Sequence, residues 1–144
     1  MILLGLLFIL LGNISCNSDD SSNNQNSLLG TWELVQFEDQ TTTIIMNDLD
    51  NFGLITITFE DEEFEGTTGS NIFFGDYIVE SEVLIFLKFG ISEVNESEWG
   101  QKFGDAIVST YNSNDNNYRL FFILQENILK IEYKPTEFMY FERQ

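Results

Sequence analysis

The sequence predicts a mainly β domain: an antiparallel, partly open, barrel-like sheet of about seven or eight strands, with one helix near residues 96–111 packed on it. Three observations lead there. The composition is rich in strand formers, with 14 Phe, 5 Tyr and 2 Trp against a single Pro in 144 residues, and aromatic side chains fit a pleated, half-buried surface. Short runs alternate apolar and polar residues and are separated by turn residues. One segment alone carries the apolar stripe of a helix. At this length a single domain with its own core is expected, over residues 28–144.

Residues 28–37 open the domain as a strand. Trp32 and Leu34 share one face with Gln36, while Glu33, Val35 and Phe37 share the other. Residues 38–53 are polar apart from a β-prone island at 41–45 and read as a long loop or irregular strand. Residues 54–59 alternate cleanly, with Ile55, Ile57 and Phe59 inward and Thr56 and Thr58 outward, so one face is buried and one wet. Acidic residues turn this strand into the next at 63–67. The acids between 60 and 65 read as a solvated hairpin tip rather than a cation site.

Gly66, Gly69, Asn71 and Gly75 punctuate the run that follows. A tight turn on Gly69-Ser70-Asn71 separates a strand end from a new strand entered through Gly75-Asp76-Tyr77. Residues 76–80 and 83–89 then form a hairpin over Ser81-Glu82. Segments 83–89 and 120–124 are apolar on both faces, which calls for cover on both sides. The helix is expected to supply it, because Trp99, Phe103, Ile107 and Tyr111 recur on one stripe, with Asn95 as cap and Glu98 following it. Gly100 and Gly104, one turn apart, imply close approach to neighbouring backbone. The polar run 112–117 ends the helix. It resembles a calcium loop, but Ile123 stands where the bidentate Glu is required. Residues 118–125, 128–133 and 137–143 finish the sheet as a meander whose last strand closes against the first.

Charge and chemistry limit the function. There are 24 Asp and Glu against 6 Lys and Arg, with no His, for a net charge of −18. Phosphate backbones and anionic lipids repel such a chain, so nucleic acid is excluded as a partner, whereas a basic protein suits it. Acidity as a plain solubility device is the alternative. The single Cys, Cys16, precedes the domain, so the fold has no thiol for a disulfide, a metal–thiolate site or a redox centre. With His also missing, the commonest catalytic bases and nucleophiles are absent. No enzymatic activity, catalytic residue, metal site or cofactor is expected.

The N-terminus reads as an address. Residues 1–11 are an uninterrupted apolar run, about half of the ~20 residues a spanning helix needs, and fit the core of a signal peptide. Gly12-Asn13-Ile14-Ser15-Cys16 resembles a bacterial lipobox, with cleavage before Cys16 and lipid on its thiol, although Asn13 replaces the usual aliphatic residue and no Lys or Arg precedes the apolar run. Residues 1–15 are thus expected to be a lipoprotein signal peptide, and a secretory signal with an incidental Cys is the alternative. Acyl chains on Cys16 would hold the protein at a membrane at ~0.8 kcal/mol per buried CH₂. Residues 16–27 form a polar, acidic tether that no core could order. Ser18-Asp19-Asp20 resembles the acidic export signal of Bacteroidetes-type lipoproteins. It implies the outer membrane and its outer face, with periplasm-facing attachment as the alternative.

From residue 28 to 143 the chain resembles the META domain of HslJ-type, heat-shock-inducible envelope lipoproteins. The matching elements are Leu29-Gly30-Thr31-Trp32, then Thr58-Phe59, then Gly66-x-x-Gly69-x-Asn71-x-x-x-Gly75-x-Tyr77, a loop with Ser92, and a helix with Trp99, Phe103 and Ala106. The Gly-x-Trp opening is shared with lipocalin-like barrels, where the Trp closes one end. The resemblance implies architectural roles for Gly30, Trp32, Gly66, Gly69, Asn71, Gly75, Tyr77, Trp99 and Phe103, and a surface-anchored binding or envelope-maintenance module without catalysis. Ser70 stands where many members carry Cys, so no thiol chemistry of relatives carries over. A lipocalin-like carrier of a small apolar ligand is the second reading, from the Phe-rich strands.

Overall fold

The structure, a computed structural model, describes residues 27–42, 44–47 and 53–144. The expected signal segment, Cys16 and Ser18-Asp19-Asp20 lie outside them. In chain order the elements are β1 (Gly30–Asp39), β2 (Ile44–Asn47), β3 (Thr56–Phe59), β4 (Glu63–Thr67), β5 (Ile72–Glu80), β6 (Val83–Phe86), β7 (Gly90–Ile91), α1 (Glu98–Ser109), β8 (Tyr111–Asn112), β9 (Asn117–Gln125), β10 (Ile128–Lys134) and β11 (Glu137–Arg143).

Neighbouring strands pair antiparallel around a ring, β1-β3-β4-β5-β6-β9-β10-β11 and back to β1. The mainly β class with one helix is therefore as expected, and the barrel is closed rather than partly open. Closure follows from β10, which pairs with β9 on one side and β11 on the other, while β11 pairs along β1 from Trp32↔Arg143 to Asp39↔Glu137. A closed ring leaves few strand edges to manage. The short strands β2, β7 and β8 extend β1, β5 and β9 where their main partners have turned away.

Alternation along the strands builds the core. Ile55, Ile57 and Phe59 are buried as read from the sequence, and Thr56 and Thr58 face outward. Rings meet across the interior: Phe59 on Tyr77 at 5.0 Å, Phe64 on Phe86 at 4.2 Å and Phe73 on Phe103 at 4.9 Å between centroids. Each such fully buried side chain contributes roughly 1.5–3 kcal/mol. Phe37 corrects the sequence reading, which placed it opposite Trp32. An irregularity between Leu34 and Gln36 shifts the register by a residue and turns Phe37 into the core, where it is 1% exposed.

The helix also differs from expectation. It spans Glu98–Ser109, and its cap is Ser97 rather than Asn95: the Ser97 hydroxyl accepts from the Gly100 N–H at 3.1 Å. Trp99, Phe103, Ala106 and Ile107 are buried, but Tyr111 has left the helix for β8 and is exposed. Rather than covering the outer faces of β6 and β9, the helix plugs one end of the barrel. Trp99 meets Phe37 near the end of β1 edge-on at 4.8 Å, and Phe103 meets Phe73 at the start of β5. Consequently Phe121 and Ile123 stand 60% and 52% exposed on the outer wall of β9, where cover had been expected. Nothing lies near the position of a Cβ on Gly104, and Gly100 makes room for the Glu96 side chain rather than for backbone.

The opposite end is closed by Leu28 and Trp32, both fully buried. The Trp32 indole N–H donates to the Leu28 carbonyl at 2.7 Å, and the Arg143 guanidinium lies 4.2 Å over its ring. Arg143 also donates to the carbonyls of Leu29 and Ser27, at 2.7 and 2.5 Å. Gly30, at φ +114°, carries the chain under that side chain.

Candidate functional site

The stretch from Gly66 to Tyr77 carries a dense cluster of polar contacts. Its turn closes on itself: Thr68 N–H donates to the Asn71 carbonyl at 2.9 Å, and Asn71 N–H returns to the Thr68 hydroxyl at 3.0 Å. Gly69 sits between them at φ +90°, a conformation that side chains resist. The Asn71 side chain, 3% exposed, then ties this turn to the segment leading into α1. Its Oδ1 accepts from Ser92 Oγ at 2.9 Å and from the Val94 N–H at 2.8 Å. Its Nδ2 donates to the Val94 carbonyl at 3.0 Å and to Glu96 Oε2 at 2.7 Å. Both acceptor sites and both donors of the amide are thereby used.

Glu96 gathers the remaining donors. The Thr68 hydroxyl donates to the same Oε2, and the Ser97 N–H donates to Oε1 at 2.9 Å. Desolvation pushes the Glu96 carboxyl up, but hydrogen bonds from Asn71, Thr68, Ser97 and Ser70 together outweigh it and hold the group below its ordinary value of 4.5. Such a carboxylate is ionised and fully engaged, which suits a strut and not a proton-transfer group. The neighbouring motif residues act by shape. A Cβ on Gly66 would lie 2.1 Å from the Thr56 carbonyl oxygen, and one on Gly75 2.0 Å from that of Lys88. Tyr77 is fully buried, with its hydroxyl donating to the Glu60 carbonyl at 2.9 Å. Burial and the Asp61 carboxylate push its phenol up to about 12.

The sequence-read residues thus fall into three places. Gly66, Gly69 and Asn71 build the turn, Gly75 lies further along β5 against Lys88, Tyr77 reaches the hairpin between β3 and β4, Trp99 and Phe103 plug the end by the turn, and Gly30 and Trp32 seal the other. Sequence reasoning missed Glu96, Thr68 and Arg143. A carboxylate just ahead of a helix start was a usable signal for Glu96, whereas nothing local marks Arg143 as the partner of Trp32 and Ser27. In the run 112–117 Asn112 Nδ2 donates to Asp115 at 2.8 Å and Tyr111 Oη donates to Asn116 at 2.6 Å, while the buried Asn117 Oδ1 has no partner among the described residues. Among the described residues no group of three or more Asp, Glu, His or Cys is placed to hold a metal ion, and no helix is long and apolar enough to cross a membrane.

Between the motif positions lie residues of another kind. Ile72 and Phe74 point outward from β5 and are 62% and 57% exposed. Thr67 and Glu65 of β4 stand opposite them, and Thr56 and Thr58 of β3 continue the same rows. Two surface depressions, of about 290 and about 390 Å³, run along this wall and share Glu65 and Phe74. Glu60, Glu63 and Asp76 line the first.

Fold and turn together define a closed antiparallel barrel plugged by one helix. In that fold the chain is similar to a protein from Burkholderia xenovorans solved by NMR, with a TM-score of 0.64 at 16% identity over 85% of this chain and 87% of the other. It is also similar to an uncharacterized protein from Bacteroides eggerthii solved by crystallography, with a TM-score of 0.50 at 13% identity over 81% of this chain and 99% of the other. No protein-family model matches the chain, and no curated protein does. At these identities the likeness establishes the shared fold.

Proposed function

We propose that this protein is a non-catalytic binding module of the bacterial cell envelope, META-like in its domain, lipid-anchored through Cys16 at the outer membrane and working in envelope maintenance or stress. The observation that carries this reading is the filling of the barrel. Trp32, Phe37, Phe59, Phe73, Tyr77 and Phe86 are all under 2% exposed and occupy the interior a carrier would keep for its ligand. The polar cluster at Asn71 has spent its hydrogen bonds internally, so it offers a substrate nothing to bind. Recognition then falls to the outer surface, where a charge of −18 favours a basic protein as partner.

One observation favours the second reading, a lipocalin-like carrier. An open groove of about 520 Å³ beside the helix is lined by Phe89 and Tyr118, whose rings lie 5.8 Å apart against the core, with Leu87, Val108 and Tyr111 around them. Native mass spectrometry of the full protein, extracted from its host in mild detergent, separates the two. The module is expected to fly at the mass of chain plus acyl groups. A stoichiometric apolar small molecule that stays bound would replace this reading with the carrier. Replacement of Cys16 by Ser is expected to release the chain from the membrane fraction.

A further inference from the structure

We propose that the outer wall of β3–β4–β5 is the docking surface, and that its occupant is a cationic segment of a protein partner that lays apolar side chains against Ile72 and Phe74. This rests on the binding-module reading above. The wall is apolar where it stands out and acidic where it is rimmed. Ile72 and Phe74 project from a bed of short side chains, because Thr67 stands opposite Ile72 and Gly90 lies opposite Phe74. A Cβ on Gly90 would come within 3.1 Å of the Phe74 ring, so the glycine gives that ring its seat.

Charge selects the partner. Glu65 is the direct cross-strand neighbour of Phe74, and Glu63 stands opposite Asp76 one row further along. Like charges placed opposite each other destabilise a sheet, and one local cation offsets this: Lys88 Nζ lies 2.5 Å from Asp76 and is 77% exposed. Among the described residues Glu60, Glu63 and Glu65 form no ion pair. A neutral apolar partner would strip water from these carboxylates without replacing it, and an anionic one would be repelled. Lys or Arg side chains flanking an apolar anchor satisfy both features at once. A second exposed apolar wall, Phe121 and Ile123 on β9, lacks this one-sided charge. Lys130 and Glu132 line it together, and Lys130 already lies 3.7 Å over the Phe138 ring.

Fluorescence anisotropy of short labelled peptides against the full protein in detergent, at about 0.15 M salt where surface charges are screened beyond about 8 Å, tests the assignment. The probe alternates Lys with Phe and Val; its controls replace Lys by Glu, or Phe and Val by Ser. The Lys–Phe peptide is expected to bind and both controls to fail. Ile72→Ser with Phe74→Ser is expected to weaken binding about tenfold or more, as loss of a central anchor does. Glu63→Gln with Glu65→Gln is expected to weaken it and flatten its salt dependence, and Phe121→Ser with Ile123→Ser to leave it unchanged. Circular dichroism melts verify that each variant is folded. Loss at the β9 pair with retention at the β5 pair would overturn the assignment while leaving the module reading in place. Equal binding of the Glu peptide, self-association abolished by the β5 pair, or no binding of the Lys–Phe peptide would each overturn it as well. The module reading itself falls only if native mass spectrometry shows a retained apolar ligand.

Discussion

From the end of β4 through the turn and along β5, two sets of residues interleave and behave in opposite ways. Gly66, Gly69, Asn71, Gly75 and Tyr77 are fixed by close approach, a positive φ, or a full set of hydrogen bonds. Ile72 and Phe74, lying between them, face solvent. Asn71 is polar and buried, while Phe74 is apolar and exposed. The first arrangement is the costly one unless every bond is made, and the second attracts notice because an exposed apolar patch marks an interaction site. The spacing of the glycines, Asn71 and Tyr77 therefore describes how the barrel is built. Its capacity to recognise something is carried by the residues in between.

The sharpest way to break that contrast is to add a methyl group at a motif position. Gly75→Ala would drive a Cβ to 2.0 Å from the Lys88 carbonyl oxygen, and Gly66→Ala to 2.1 Å from that of Thr56. Neither carbonyl is a flexible side-chain end, so strand separation is the only relief. Each variant is expected to lose more than about 4 kcal/mol, or to fail to fold, as read from the urea midpoint. A variant of near wild-type stability would show that β4 moves freely away from β3, or β5 away from the segment at Lys88, and would end the architectural account of the glycines.

Asn71→Ala comes next. It would strand the Val94 N–H and carbonyl, the Ser92 hydroxyl and Glu96 Oε2 in a partly buried site, with an expected loss of about 3 kcal/mol. Glu96 adds a dependence on pH. Its carboxyl is held low in the folded protein, so its contribution is fully present above the unfolded value near 4.5 and fades as pH falls through the lower folded value. Glu96→Gln keeps the size but loses the charge, and is expected to cost about 1–2 kcal/mol at neutral pH. The gap to wild type should narrow below pH 4.5 in parallel denaturation series. A constant gap down to low pH would show that the charge is irrelevant to the strut.

How much of this was legible depended on whether the decisive neighbour was local. Ile55, Ile57 and Phe59 were read correctly because strand alternation is a property of the strand alone. The closing of β11 on β1 was legible because a chain of short antiparallel hairpins leaves its last strand that place. Phe37 was misplaced because one extra residue at the bulge inverts every later side chain. Periodicity showed that Trp99 and Phe103 share a face but not what the face packs on, so the helix was set on a wall when it plugs an end. Ile72 and Phe74 were invisible for a related reason: in a run apolar at successive positions, sequence cannot say which side is wet.

The smallest stability effect is expected at those two residues, and it makes the contrast quantitative. Ile72→Ser and Phe74→Ser each remove an apolar side chain that is more than half exposed, at 62% and 57%. Surface substitutions of this kind stay within about 0.5 kcal/mol, with a further small loss from the lower strand propensity of Ser. The double variant should therefore melt close to wild type, although it sits within three residues of Asn71→Ala along the chain. A large loss of stability would mean that the wall is covered in the folded protein, by a second copy or by part of the chain beyond the described residues. Near-neutrality instead leaves the two apolar side chains without a role in folding. Their exposure on an acidic wall would then have to be explained by what binds there.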